Sequence, residues 1–301
     1  MSSPSTLTTI PADIHYHLLS ILPDFYDLGA VIRTHRCFHD VYKTRRKTLL
    51  DDVAKNLLGC LFDEAVLLAR AQEATYGLGD PSVKGFSSDT VILVVNNDYI
   101  LKSLEMVVFG LMKADEKKFD IYDAESLERF VEEPFTEEAS PTESIRFKAA
   151  GYRFWRFVLQ PAKKRTAFLK KLAPNELLEL RHFVSGISNL IYAIRRQPQE
   201  SDHDWDFISS VQSTGPENIL RLWMALQNGD PEFEEELAGA GYSINGDEGF
   251  FDYPYVDIME KKKLNEIRGI DALAPIFDGD NEKMHEMLDE FSQKAGTDAE
   301  S

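Results

Sequence analysis

Between Pro174 and Arg195, apolar residues recur in alternating steps of three and four: Leu177, Leu180, Val184, Ile187, Ile191 and Ile194. A period of about 3.6 places all six on one side of an α-helix and is incompatible with a strand, whose side chains alternate every second residue. Leu190 widens the apolar face beside that seam. Pro174 stands in the opening turn, where a missing N–H costs no hydrogen bond, and Glu176 follows near the positive end of the helix dipole. Such a helix must pack along its whole length against others. The chain is therefore expected to be mainly α.

The neighbouring segments carry the same period. Phe147, Gly151, Phe154 and Val158 share one helical face, with Trp155 and Phe157 beside them, and Pro161 closes that helix. Leu57, Leu61, Ala65 and Leu68 mark another stripe within 49–71, ended by the turn-forming run Gly77-Leu-Gly-Asp-Pro81. An amphipathic helix is expected over 217–226 around Trp223, with shorter helices near 259–267 and 282–291. The run Thr90-Val-Ile-Leu-Val-Val95 is β-branched and alone would read as a buried strand. It has no partner strands, so a helix is favoured, with Asn96-Asn97-Asp98 capping a further helix over 99–112. An exposed acidic loop is expected over 132–144, and an ordered loop rich in glycine and aromatics over 239–255. No internal repeat is present, which disfavours leucine-rich repeats and propeller blades.

Charge is distributed unevenly. The whole chain carries −18, yet residues 1–58 hold seven Lys/Arg against six Asp, so the remainder carries −19. A chain so acidic is not expected to bind nucleic acid as its main ligand, since phosphate contacts depend on clustered cations. The one dense basic patch in the body is Lys163-Lys-Arg165 with Lys170-Lys171. It reads as the solvated side of a short helix, with an anion contact or nuclear-import signal as the alternative. No apolar run approaches the ~20 residues of a membrane span, so no membrane insertion is expected. The opening six residues have neither a basic nor an apolar stretch, so no secretory signal is expected either. Two cysteines, Cys37 and Cys60, make no disulfide framework, which points to a reducing compartment, cytoplasm or nucleus.

The opening residues have a pattern of their own. Ile10-Pro11-Ala12-Asp13-Ile14 begins a helix, and Ile14, Leu18, Ile21 and Leu22 follow the spacing of one buried face before Pro23-Asp24 breaks it. A second short helix carries Leu28, Val31 and Ile32, and a third, polar one starts near Arg36-Cys37-Phe38-His39 and runs on or bends into 49–71. This set resembles the F-box: an apolar-Pro pair, an acidic and an aliphatic residue, an Ile-Leu pair, a Leu about six residues later, and a closing Cys/Arg/Phe group. His35 stands where the family usually has Cys. The resemblance implies a three-helix module over 9–58 that docks on a Skp-type adaptor and through it on a cullin scaffold. Carried across by position, the contact residues are Ile10, Pro11, Ile14, Leu18, Leu22, Leu28 and Phe38. Physical reasoning agrees independently, because about fifty residues cannot bury so many aliphatics alone.

Further on, Glu143-Ser-Ile-Arg146-Phe, Tyr152-Arg153-Phe154-Trp155 and Leu177-Leu-Glu-Leu180 are similar to the helical bodies of fungal F-box-like proteins. The expected organisation is a disordered 1–8, the module at 9–58, an irregular multi-helix domain at 59–292 and a disordered acidic tail at 293–301. The resemblance implies a substrate receptor of a ubiquitin ligase, presenting an unknown protein target on its body. The alternative is a helical interaction scaffold whose F-box-like part is only a structural cap.

Sites of chemistry are not expected. His35, Cys37 and His39 lie close in sequence, but a zinc site needs about four ligands in two suitable pairs. His15 and His17 point to different helix sides. The glycines of 77–85 do not match a phosphate-binding loop, and neither a nucleophile elbow nor a zinc-protease helix motif occurs. No cofactor, metal or catalytic residue is therefore expected, and the chain reads as a binding protein and not an enzyme.

Overall fold

The computed structural model describes residues 7, 10–77, 88–113, 123–134, 138–195, 203–230, 232–242 and 250–299. Helices account for its regular structure, and no strand occurs among the described residues. The chain divides into two compact units between Asn97 and Asp98. The 9–58 module is thus one part of a larger N-terminal unit. Of the segments expected to be disordered, 1–6, 8 and 300–301 lie outside the described residues.

In the first unit, α1 spans Ala12–Ser20, with Pro11 as its N-cap. Helix α2, Phe25–Thr34, starts where the Asp24 side chain accepts from the Asp27 N–H at 2.8 Å. Helix α3, Arg36–Leu58, is capped by His35, whose Nδ1 accepts from the Cys37 N–H at 3.2 Å, and it is kinked at Arg45 (φ −120°, ψ 25°). Beyond the kink it turns apolar and buries Leu49, Leu50, Val53, Ala54 and Leu58. A short 3-10 turn, Gly59–Leu61, leads to α4, Phe62–Tyr76. Gly77 ends α4 in the left-handed region (φ 67°), where a side chain would clash with its own backbone.

Residues 90–95 are helical, as part of α5, Ser88–Lys113. The helix runs straight through Asn96-Asn97-Asp98, which therefore cap nothing. Asn97 and Gln72 instead form a reciprocal buried amide pair, Nε2 to Oδ1 at 3.1 Å and Nδ2 to Oε1 at 2.7 Å. Each amide satisfies the other, so the two polar groups cost little to bury.

In the second unit, α6 is Ala124–Glu132, opened by Asp123, whose carboxylate accepts from the Ser126 N–H at 2.9 Å. The loop expected up to residue 144 ends earlier, because α7 spans Pro141–Val158. Ser140 and Glu143 form a reciprocal capping box, with Pro141 in the first turn. The basic run after Pro161 lies on the short helix expected there, α8, Ala162–Lys170. The strongly periodic segment is α9, Pro174–Arg195, which buries Leu177, Leu180, Val184, Ile187, Ile191 and Ile194 as expected.

Then come α10 (His203–Ser213), α11 (Pro216–Asn228) and α12 (Phe233–Tyr242). Next are α13, Asp252–Lys261, two 3-10 turns (Leu264–Glu266, Ile270–Ala272) and α14, Asp278–Ala299. The loop expected over 239–255 is helical at both ends, and 243–249 lie outside the described residues. Likewise 293–299, expected as a tail, continue α14.

The second core forms where α7 meets α9. Phe183 lies 4.9 Å from Phe147 and 5.7 Å from Phe154, ring centre to ring centre. Two glycines let α5 come close. A Cβ at Gly151 would sit 2.6 Å from Leu101, and one at Gly186 would sit 2.6 Å from Met112 and 2.7 Å from Val108. Within this apolar contact lies one ion network. Arg153, 9% exposed, reaches Glu179 at 3.1 Å and Glu176 at 2.9 Å. Burial pushes the Glu179 carboxyl up from its ordinary range, against the pull of Arg153.

The start of α14 is latched to the start of α7. Asp278 accepts from Ser140 Oγ at 2.8 Å, from Thr142 Oγ1 at 2.7 Å and from Arg146 at 2.5 Å. These donors hold its carboxyl at about 2. Beside them, His182 Nδ1 accepts from the Ile276 N–H at 3.3 Å, and burial lowers its pKa to about 4.

Candidate functional site

Helix α1 is apolar on both sides, and α3 covers only one of them. The covered side carries Leu19, fully buried, and His15, 2% exposed, whose ring meets Phe38 edge-on at 5.0 Å. Three further contacts fix the helix in that orientation. Tyr16 donates to Asp52 at 2.6 Å, with the pKa of its hydroxyl raised chiefly by that hydrogen bond. Arg45 bonds Asp13 at 2.7 Å and stands over the Tyr16 ring. Asn56 donates to the Ser20 and Leu22 carbonyls at 2.8 and 2.9 Å, which satisfies the open end of the helix.

The other side is left bare. Ile14, Leu18 and Ile21 are 49, 42 and 59% exposed, at successive steps of four and three, with Pro11 exposed at the same end. This is a correction. The stripe Ile14-Leu18-Ile21, which the spacing reads as a buried face, points outward, and the residues that pack inward lie between its members. Hydropathy periodicity fixes which residues share a side, but both sides of α1 are apolar, and only tertiary contact selects one.

The seven residues assigned to partner contact accordingly separate. Pro11, Ile14 and Leu18 lie on the open face, and Ile10 and Leu22 are half-buried. Leu28, 3% exposed, and Phe38, 7% exposed, belong to the core of the module and present no surface. Ile21 belongs on the face and was legible from its spacing with Ile14 and Leu18. Tyr26, 79% exposed at the start of α2, carried no such signal.

In the second unit, a cavity of about 490 Å³ opens between α5 and α7, lined by Lys102, Glu105, Met106, Phe109, Ser144 and Lys148 among others. Glu105 accepts from the Ser144 hydroxyl at 3.0 Å, and burial raises its carboxyl above the ordinary range. Lys148 is held by Asp98 at 3.0 Å. Cations and carboxylates balance here, so the lining selects no ligand charge. Among the described residues, no group of three or more His, Cys, Asp or Glu is placed to hold a metal ion, and no helix is long and apolar enough to cross a membrane. The His35 imidazole is used as a helix cap.

No protein-family model matches the chain, and neither a curated protein nor a solved structure does.

Proposed function

We propose that the N-terminal unit is an F-box-type docking module, and that the chain is a substrate receptor of a Skp–cullin ubiquitin ligase. The observation that carries this reading is the bare face of α1. Three large aliphatic side chains stand in solvent on a helix clamped from behind by Asp52, Asn56 and Arg45. A rigid helix with a continuous apolar stripe is the form in which helices enter the groove of a partner. Covering it removes the side chains from water at roughly 25 cal/mol per Å² with no reordering of the helix. The adaptor fills that role and bridges to the cullin. The helical second unit then presents a protein target, and its contribution to ubiquitin transfer is proximity alone.

Co-purification of the full chain with a Skp-type adaptor tests the proposal, comparing wild type with Ile14→Asp and Leu18→Asp. Both positions are exposed, so the variants retain the fold, and unchanged helical circular dichroism verifies that. Capture by wild type and loss in both variants is the expected result. If the adaptor is not captured, or is captured equally by all three proteins, the module is only a structural cap on a helical scaffold. The burial of Leu28 and Phe38 within the unit is the feature that favours that second reading.

A further inference from the structure

Five cations and no carboxylate occur in 161–172, and four cations with three carboxylates in 257–268. Ninety residues apart in sequence, these two runs meet in space. Lys262 Nζ, just past the end of α13, donates to the Leu172 carbonyl just past the end of α8, at 2.8 Å. Arg165 lies 4.1 Å over the Phe250 ring, which joins α8 to the entry of α13. The C-terminal ends of both helices therefore share one surface, and Lys170, Lys171, Lys261 and Lys263 are all exposed on it.

Part of this charge has a structural use. Lysines at a helix C-terminus offset the negative end of the dipole, about half an elementary charge per helix. Two ends take up about one charge, whereas five lysines converge here. Lys261 pairs with Asp257 at 2.5 Å, and Lys262 is held by the Leu172 carbonyl. Glu176, the nearby carboxylate at the start of α9, is engaged by Arg153 and the Ala173 N–H. Lys170, Lys171 and Lys263 make no ion pair among the described residues. With Glu260 and Glu266 also counted, a positive excess of about one charge remains, on a chain whose net charge is −18.

Lys263 adds an independent observation. It follows α13 with φ 57° and ψ 23°, and is the one non-glycine residue with positive φ among the described residues. At this position glycine is the default, because a Cβ is strained there. A lysine in such a conformation carries local backbone strain, and outliers of this kind gather at functional positions.

We propose that the joined ends of α8 and α13 form a docking surface for an Asp/Glu-rich protein segment. The lysines are separate point charges suited to successive carboxylates. Glu260 and Glu266 lie among them, so the positive excess is small and local, enough for a short run of carboxylates but not for the dense, extended charge of a phosphate polyanion. Tyr253 and Val256, 66 and 51% exposed on α13, offer apolar contacts that a polypeptide uses and a phosphate backbone does not. This surface does not depend on the N-terminal module, so either proposal can fail alone.

Fluorescence anisotropy of a labelled Glu/Asp-rich peptide, titrated with the full chain at low ionic strength, is the test. Saturable binding is expected, weakened by salt and reduced about tenfold by Lys170→Gln with Lys171→Gln. Lys263→Gly separates function from fold: it relieves the strained backbone, so the melting temperature holds or rises while affinity falls severalfold. No binding by wild type, or equal binding by the lysine variants, overturns the proposal. Tighter binding of duplex DNA than of the peptide overturns it too, since the surface would then be a nucleic-acid interface.

Discussion

Helices α1 and α9 both present an apolar stripe at steps of three and four, yet one stripe is bare and the other wholly covered. In α9 the seam from Leu177 to Ile194 is enclosed, with Phe183 meeting two α7 phenylalanines and Gly186 admitting α5 to within contact of its backbone. In α1, His15 and Leu19 pack inward while Ile14, Leu18 and Ile21 are left in solvent. Periodicity thus specifies a side, whereas the number of neighbours decides whether that side is core or solvent-exposed. Where two helices and a pair of glycines close around a seam, the stripe is structural. Where one helix covers a doubly apolar one, the remainder is left in solvent.

The covered stripe is most sensitive to substitution at the α7–α9 contact. Phe183→Ala removes a fully buried ring and is expected to cost roughly 3–5 kcal/mol in chemical denaturation. Arg153→Leu leaves Glu179 buried without its partner, at a cost of about 3 kcal/mol. Part of that loss should return at lower pH, because the Glu179 carboxyl is already raised by burial and becomes neutral more easily.

Acidification examines the second unit differently. The folded His182 binds a proton only near pH 4, whereas the unfolded residue does so near 6.5. Its contribution is complete above 6.5, is lost as pH falls through that window, and is constant below about 4. The total is about 3 kcal/mol, and the difference in stability between wild type and His182→Asn across that range measures it. The raised carboxyls Glu105 and Glu179 act in the opposite direction, but they are common to both proteins and cancel. Gly151→Ala forces the Leu101 side chain aside and is expected to cost about 1–3 kcal/mol. At the small end, Leu18→Asp should change stability by no more than about 0.5 kcal/mol, the mark of an exposed position.

Much of the helical fold was legible locally. The α9 seam followed from spacing alone, and the turn-forming run that begins at Gly77 marked the end of α4. The start of α7 was written in Ser140-Pro141-Thr142-Glu143, a capping-box signature that an acidic, proline-interrupted context disguised as loop. Residues 96–98 misled because Asn and Asp favour caps, whereas Asn97 was matched to Gln72 twenty-five residues away. Pairings of that kind leave no periodic trace. The Asp278 latch onto α7, the use of His182 as an acceptor and the meeting of the two lysine runs are all set by contacts ninety or more residues apart in sequence. For the candidate site, the composition of the exposed face of α1 was readable and its orientation was not, because Leu28 and Phe38 share the hydropathy of Ile14 and Leu18 and differ only in what covers them.

Hydrogen–deuterium exchange on the full chain, with and without a Skp-type adaptor, tests the central distinction between the two stripes most directly. Added adaptor should slow exchange across α1 and the start of α2 while leaving α7 and α9 unchanged. Unaltered exchange in α1, or protection confined to the second unit, would contradict the assignment of its open face as the docking surface.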